Sequence, residues 1–184
     1  LTAHCSLSAT MQSLFKFSPI YKERLWGGRA IAQVGAQRHL PPDKKIGESW
    51  EISNREGDES VIENGEFQGR SIRWLLDRHG AFVMGRPWKK GKRFPLLIKV
   101  LDATDRLSLQ VHPPTEIAPE LGGEAKTEMW YLLRGTAPHA TLLAGLKRGV
   151  QRRDFEQRLL RAAKGASSAT TEFESLIHGL AQKL

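Results

Sequence analysis

Cysteine is almost absent from this chain: the single Cys5 can form neither an internal disulfide nor a cysteine-rich zinc site. A reducing cytoplasm is the compartment expected from that scarcity. Long apolar runs are missing too. No stretch approaches the roughly 20 residues of a membrane-spanning helix, so no membrane partner is expected. The first residues have neither a basic start nor a continuous hydrophobic region, and no signal peptide is expected. The chain starts at Leu1, and residues 1–14, with Met11 among them, read as an N-terminal extension without fixed structure. Negative charge is the scarcer sign, with 20 acidic against 28 basic residues, a net charge of +8 and a pI near 9.9. Such a balance suits an anionic partner, either a sugar phosphate or a nucleic acid. Aromatics make up only 8% of the chain, and the basic runs WKKGKR and GVQRRDF are not interleaved with them. Nucleic acid is therefore not expected as a partner.

What is present suffices for one domain with an appendage: 184 residues, of which 40% are apolar. Residues 15–150 read as the main domain and 151–184 as a helical C-terminal segment. FKFSPIYKERLWGGR mixes aromatics, a proline and a Gly-Gly pair, as in a short edge strand followed by a turn. Residues 37–45 form a loop. GESWEIS alternates as a strand, with Glu48, Trp50 and Ile52 on one side and Ser49, Glu51 and Ser53 on the other. NREGDES and NGEF are turns. Ile72, Leu75, Leu76 and His79 fit one helical face, capped by Ser71 and ended by Gly80, with His79 packed rather than a ligand. Thr141 to Leu146 continues the β pattern. Helices are expected over Arg153 to Ala163 and Thr171 to Lys183, with a Gly-Ala-Ser-Ser linker between them.

The chemistry concentrates between Phe94 and Gly135. Two runs with strand character, Leu107 to His112 and Thr127 to Leu133, flank a Pro- and Gly-rich connection, which predicts a hairpin with a long loop. Period-two alternation puts Ser108, Gln110 and His112 on one side of the first run, and Lys126, Glu128 and Trp130 on one side of the second. Pairing would gather an amide oxygen, an imidazole and a carboxylate from Gln110, His112 and Glu128, a donor set for zinc or another borderline divalent ion. A solvent-facing polar stripe gives the same alternation, and on these residues alone both readings stand. Lys99 is the only charge in the strand-like run Leu96 to Leu101.

QVHP followed by KTEMWY, preceded by FPLLIKVLDA and followed by AGLKRGV, resembles the type I mannose-6-phosphate isomerases, zinc enzymes of the cupin superfamily. YKERLWGG and GESWEIS are similar to family segments as well, and Glu128 and Gly135 match the end of the first cupin motif. The likeness runs from about Phe15 to Phe155. It implies a mainly β chain, a cupin-type jelly-roll or β-sandwich with short helical insertions, here apparently truncated. It also implies isomerisation of mannose 6-phosphate and fructose 6-phosphate through an enediol, with one zinc ion held by Gln110, His112 and Glu128. Lys126 would orient substrate or assist proton transfer, and Lys99, Ser108, Trp26 and Glu48 would line the sugar-phosphate pocket.

The family pattern also contains further barrel strands, a fourth ligand histidine and an active-site arginine, none of which stands before Leu184. His139 and His178 are the only downstream histidines and neither has a strand context. Two other function classes therefore remain open, a non-catalytic zinc or sugar-phosphate binding module and a metal cupin with different chemistry such as an oxygenase. Turnover by this chain alone is expected to be at least about a thousand-fold slower than by a full-length family member. Exposed strand edges are expected to favour self-association.

Overall fold

A computed structural model describes residues 14–35, 38–108, 110–133, 140–164 and 181–183. The chain forms two compact units, Leu1–Val111 and His112–Leu184. Their boundary falls inside the stretch 15–150.

The first unit is built on a three-stranded antiparallel sheet. β1 (Ile20–Gly28) and β5 (Ile98–Leu101) flank a central β2 (Ile46–Ile52). The order follows burial: Ile46, Gly47, Glu48 and Ser49 are all buried, whereas β1 and β5 keep exposed residues. Two short strands, β3 (Asn54–Arg55) and β4 (Asp58–Glu59), pair through a tight turn at Glu56-Gly57. Gly57 has φ +78, which a two-residue hairpin turn requires and a Cβ would oppose. Ser60 Oγ accepts from Ser53 N at 2.8 Å, so these two fully buried hydroxyl residues tie the hairpin base.

α1 (Ile72–Met84) starts where Ser71 Oγ accepts from Trp74 N at 3.2 Å, the expected cap. Ile72, Leu75 and Leu76 are buried along with Ile31, Ile46 and Ile62, and together they form the core of this unit. Each such side chain contributes about 2 kcal/mol by leaving water. The helix does not stop at Gly80. It kinks at His79 (φ −129) and runs on to Met84, with Gly85 at φ +76 closing it. Gly80 is there for packing: a Cβ on it would lie 2.2 Å from the Trp88 indole. His79 stacks on Phe67 at 4.8 Å and tilts against Trp74 at 5.5 Å, a packed histidine.

In the second unit, β6 (Leu143–Leu146) pairs antiparallel with β7 (Ala181–Lys183), and α2 (Arg152–Lys164) lies between them in sequence. The β pattern over Thr141 to Leu146 and the helix over Arg153 to Ala163 are both present. The helix expected from Thr171 to Lys183 is not, at its end: Ala181–Lys183 is a strand because Leu143–Leu146 offers it a ladder, a tertiary pairing that overrides local helical periodicity. The rest of that expectation, the 165–168 linker, His139 and His178 lie outside the described residues.

The expected hairpin of Leu107–His112 with Thr127–Leu133 requires the main correction. The described residues of both runs belong to no sheet. Pro113 and Pro114 directly follow His112 and supply no N–H to a ladder. In the second run Met129, Trp130, Tyr131, Leu132 and Leu133 are all exposed, so its two parities do not divide into a buried and a wet face.

Among the described residues antiparallel strands with two α-helices attached make up the architecture, and its mainly β character is as the sequence predicts. β1 and β2 run close together at Gly27, where an added Cβ would lie 2.4 Å from Gly47 N, a backbone atom with nowhere to retreat. Gly27→Ala should therefore cost about 2–3 kcal/mol, read as a lowered urea midpoint with unchanged slope.

Candidate functional site

Glu48 lies at the middle of β2 and is 8% exposed. A carboxylate so placed is expensive unless its oxygens are met by donors, and here three meet them. Arg24 Nε reaches Oε1 at 3.1 Å, while Trp50 Nε1 at 2.6 Å and Lys99 Nζ at 3.0 Å share Oε2. Sheet register explains the gathering. Lys22 stands opposite Glu48, and Trp50 stands opposite both Ile20 on β1 and Lys99 on β5, so these side chains share one face. Two ammonium groups lie against the Trp50 ring, Lys22 at 4.7 Å and Lys99 at 4.9 Å from its centroid. Lys22 is in turn paired with Asp58. Burial alone would raise the Glu48 carboxyl, but the hydrogen bonds from Trp50 and Lys99 and the charges of Lys99 and Arg24 outweigh it and hold the group below its ordinary value.

Trp26 is half-buried at the end of β1, against Gly47: a Cβ on that glycine would lie 2.6 Å from the indole. Its carbonyl accepts from Thr104 N at 2.9 Å, which ties the segment after β5 to β1. Ser108 and Gln110, both exposed, close the first unit. Gln110 Nε2 donates to Ser108 Oγ at 3.2 Å, so the amide oxygen is the end left to face a ligand.

In the second unit, Lys126 Nζ binds Glu128 Oε1 at 2.9 Å, and His112 Nε2 lies 3.8 Å from Glu128 Oε2. The two carboxylate oxygens thus face different partners. Burial would raise the Glu128 carboxyl, yet Lys126, a hydrogen bond from Trp130 and the nearby His112 bring it below its ordinary value. Two donors on one tetrahedral zinc lie about 3.3 Å apart, so His112 and Glu128 fit such an ion after a shift of about half an ångström. Among the described residues no cluster of three His, Cys, Asp or Glu side chains forms.

The sequence reading placed Glu48 and Lys99 as separate pocket residues, and the structure brings them into contact. It missed Lys22 and Arg24. The i, i+2, i+4 series Lys22, Arg24, Trp26 was the available signal, lost because the segment was read as an edge without regard to parity.

The model of the phosphomannose isomerase type I catalytic domain matches residues 14–138. The chain belongs to the type I phosphomannose isomerase family. Mannose-6-phosphate isomerase ManA of Bacillus subtilis is 40% identical over 126 residues, covering 67% of this chain and 38% of ManA. The mannose-6-phosphate isomerase of Streptococcus mutans is 37% identical over 123 residues, 66% of this chain and 37% of its own. A solved mannose 6-phosphate isomerase from Bacillus subtilis superposes with a TM-score of 0.72 at 28% identity, over 94% of this chain and 49% of that one. The chain thus spans less than half the length of the isomerases it matches. Glu48, Lys99, His112, Lys126 and Glu128 all fall inside the segment that defines the family.

Because the folded state lowers the Glu48 carboxyl, its contribution to stability is present above the ordinary value of 4.5 and is lost as pH falls through the lower folded value. Glu48→Gln should accordingly destabilise the chain most at pH 7 and progressively less towards pH 3. Urea midpoints across that range check it, and a constant difference would contradict the ion cluster.

Proposed function

We propose that this protein is a mannose-6-phosphate isomerase that interconverts mannose 6-phosphate and fructose 6-phosphate through an enediol, with one zinc ion held in a cupin-type site by Gln110, His112 and Glu128. Membership of the catalytic-domain family carries this reading, and the pairing of His112 with one oxygen of Glu128 supports it. When bound, zinc supplies Lewis-acid polarisation of the substrate carbonyl. Ser108 turns the Gln110 amide so that its oxygen is the available ligand atom. Lys126 occupies the other oxygen of Glu128 and thereby directs the remaining one, and its ammonium would orient the sugar or assist the proton passing between C1 and C2. Lys99 and Ser108 offer a cation and a hydroxyl to phosphate or sugar oxygens, and Trp26 and Glu48 belong to the same pocket. The names of the relatives favour an enzyme over a binding module without turnover. Among the described residues no helix is long and apolar enough to cross a membrane, and a cytoplasmic location agrees with the lone Cys5.

His112→Ala removes the only nitrogen donor of the set and should lower zinc affinity by at least tenfold while leaving the first unit folded. Elemental analysis after dialysis reads this directly, and equal zinc in variant and parent would refute the ligand assignment. Lys99→Met should weaken mannose 6-phosphate binding, measured by calorimetry. An unaltered affinity would reduce Lys99 to a side chain that only lies along the sheet.

A further inference from the structure

One side chain touches three of the charges on the β1-β2-β5 face. Trp50 donates Nε1 to Glu48 Oε2, the same oxygen that accepts from Lys99, and its ring lies under the ammonium groups of both Lys99 and Lys22. Lys99 has a long flexible stem, and a single carboxylate contact would leave its ammonium several positions. The second contact, with the π face of a ring fixed in register opposite it, removes most of them. Trp50 is itself fixed, since it stands two residues from Glu48 on the same strand and its N–H is committed to that carboxylate.

We infer that Trp50 is a positioning residue, which holds Lys99 and Glu48 in one arrangement so that Lys99 meets the sugar phosphate in a fixed place. The inference rests on the isomerase reading above for the identity of the ligand, and on the geometry of the sheet for the rest. Trp50 does not itself act on the reacting atoms; its effect passes through Lys99.

A double-substitution cycle tests it on the zinc-loaded chain, with Trp50→Phe, Lys99→Met and both together. Trp50→Phe keeps an aromatic face and deletes the N–H. It should weaken mannose 6-phosphate binding about tenfold, the size expected for a hydrogen bond to a charged group, while the unfolding temperature moves by only a few degrees. In the Lys99→Met background the same substitution should change binding by less than about twofold, because the group it acts through is gone. Equal losses in both backgrounds would overturn the inference, as would unchanged affinity in Trp50→Phe. Trp50→Tyr takes its place if the Phe variant does not fold. Should the unsubstituted chain not bind mannose 6-phosphate, the isomerase reading fails by itself, and positioning is then read from the carbon-13 titration of the Glu48 carboxyl. Loss of the indole donor should move that titration up towards the ordinary carboxylate range, and an unmoved titration would overturn the inference without reference to any substrate.

Discussion

The buried charge of Glu48 is the constraint that the first unit depends on. A carboxylate at the centre of a sheet must be met on both oxygens, and its donors come from all three strands: Arg24 on β1, Trp50 on β2 and Lys99 on β5. Hydrophobic burial explains why the unit is compact, but not why these strands take this register. A shift of β5 by one residue would turn Lys99 to the opposite face and leave Glu48 with one donor fewer in a site where that is costly. The glycines serve the same end. Gly27 and Gly47 let β1 and β2 come close enough for Arg24 and Trp26 to settle over Gly47, where Arg24 reaches the carboxylate. Packing and charge thus specify the same pairing, which is the consistency expected of a sequence that selects one structure.

Much of the first unit was legible in the sequence because its signals are local and agree with one another. GESWEI alternates, Ser71 stands before an apolar helical period, and NREGDE carries a glycine where a hairpin turn needs one. The errors came where a residue's reason is tertiary. Gly80 reads as a stop along the chain, but it is needed where Trp88 crosses the helix, which no periodicity records. Ala181–Lys183 reads as the end of an amphipathic helix until Leu143–Leu146 supplies a strand partner. Lys22 and Arg24 look like ordinary solvated charges until Glu48 is placed opposite Lys22 and within reach of Arg24.

The residues from Leu107 to Leu133 show the same principle from the other side. Alternation predicted two strands there, and alternation is a statement about faces rather than about pairing. A strand exists only when its N–H and C=O groups meet a neighbour. Among the described residues these runs find none, and apolar side chains of both parities stay exposed. Parity was still informative about chemistry, since Lys126 and Glu128 do meet, and His112 does approach Glu128 across the intervening turn. Sequence spacing therefore brought Lys126, Glu128 and His112 together better than it located the secondary structure that carries them.

A common device separates the carboxylates and amide by role. Each has two ends, and what its neighbours do with them decides what remains for a ligand. Both oxygens of Glu48 are engaged, Oε1 by Arg24 and Oε2 by Trp50 and Lys99, so its ionised form is favoured and it serves to fix cations. Glu128 has Oε1 on Lys126 and Oε2 turned towards His112, and it also accepts from Trp130. Gln110 spends its amide nitrogen on Ser108 and keeps its oxygen. Donors hold both carboxyls below their ordinary value, and Glu128 also has an imidazole beside it. That difference in surroundings, rather than residue type, separates Glu48, which ties the three strands together, from Glu128, which stands beside Lys126 and His112.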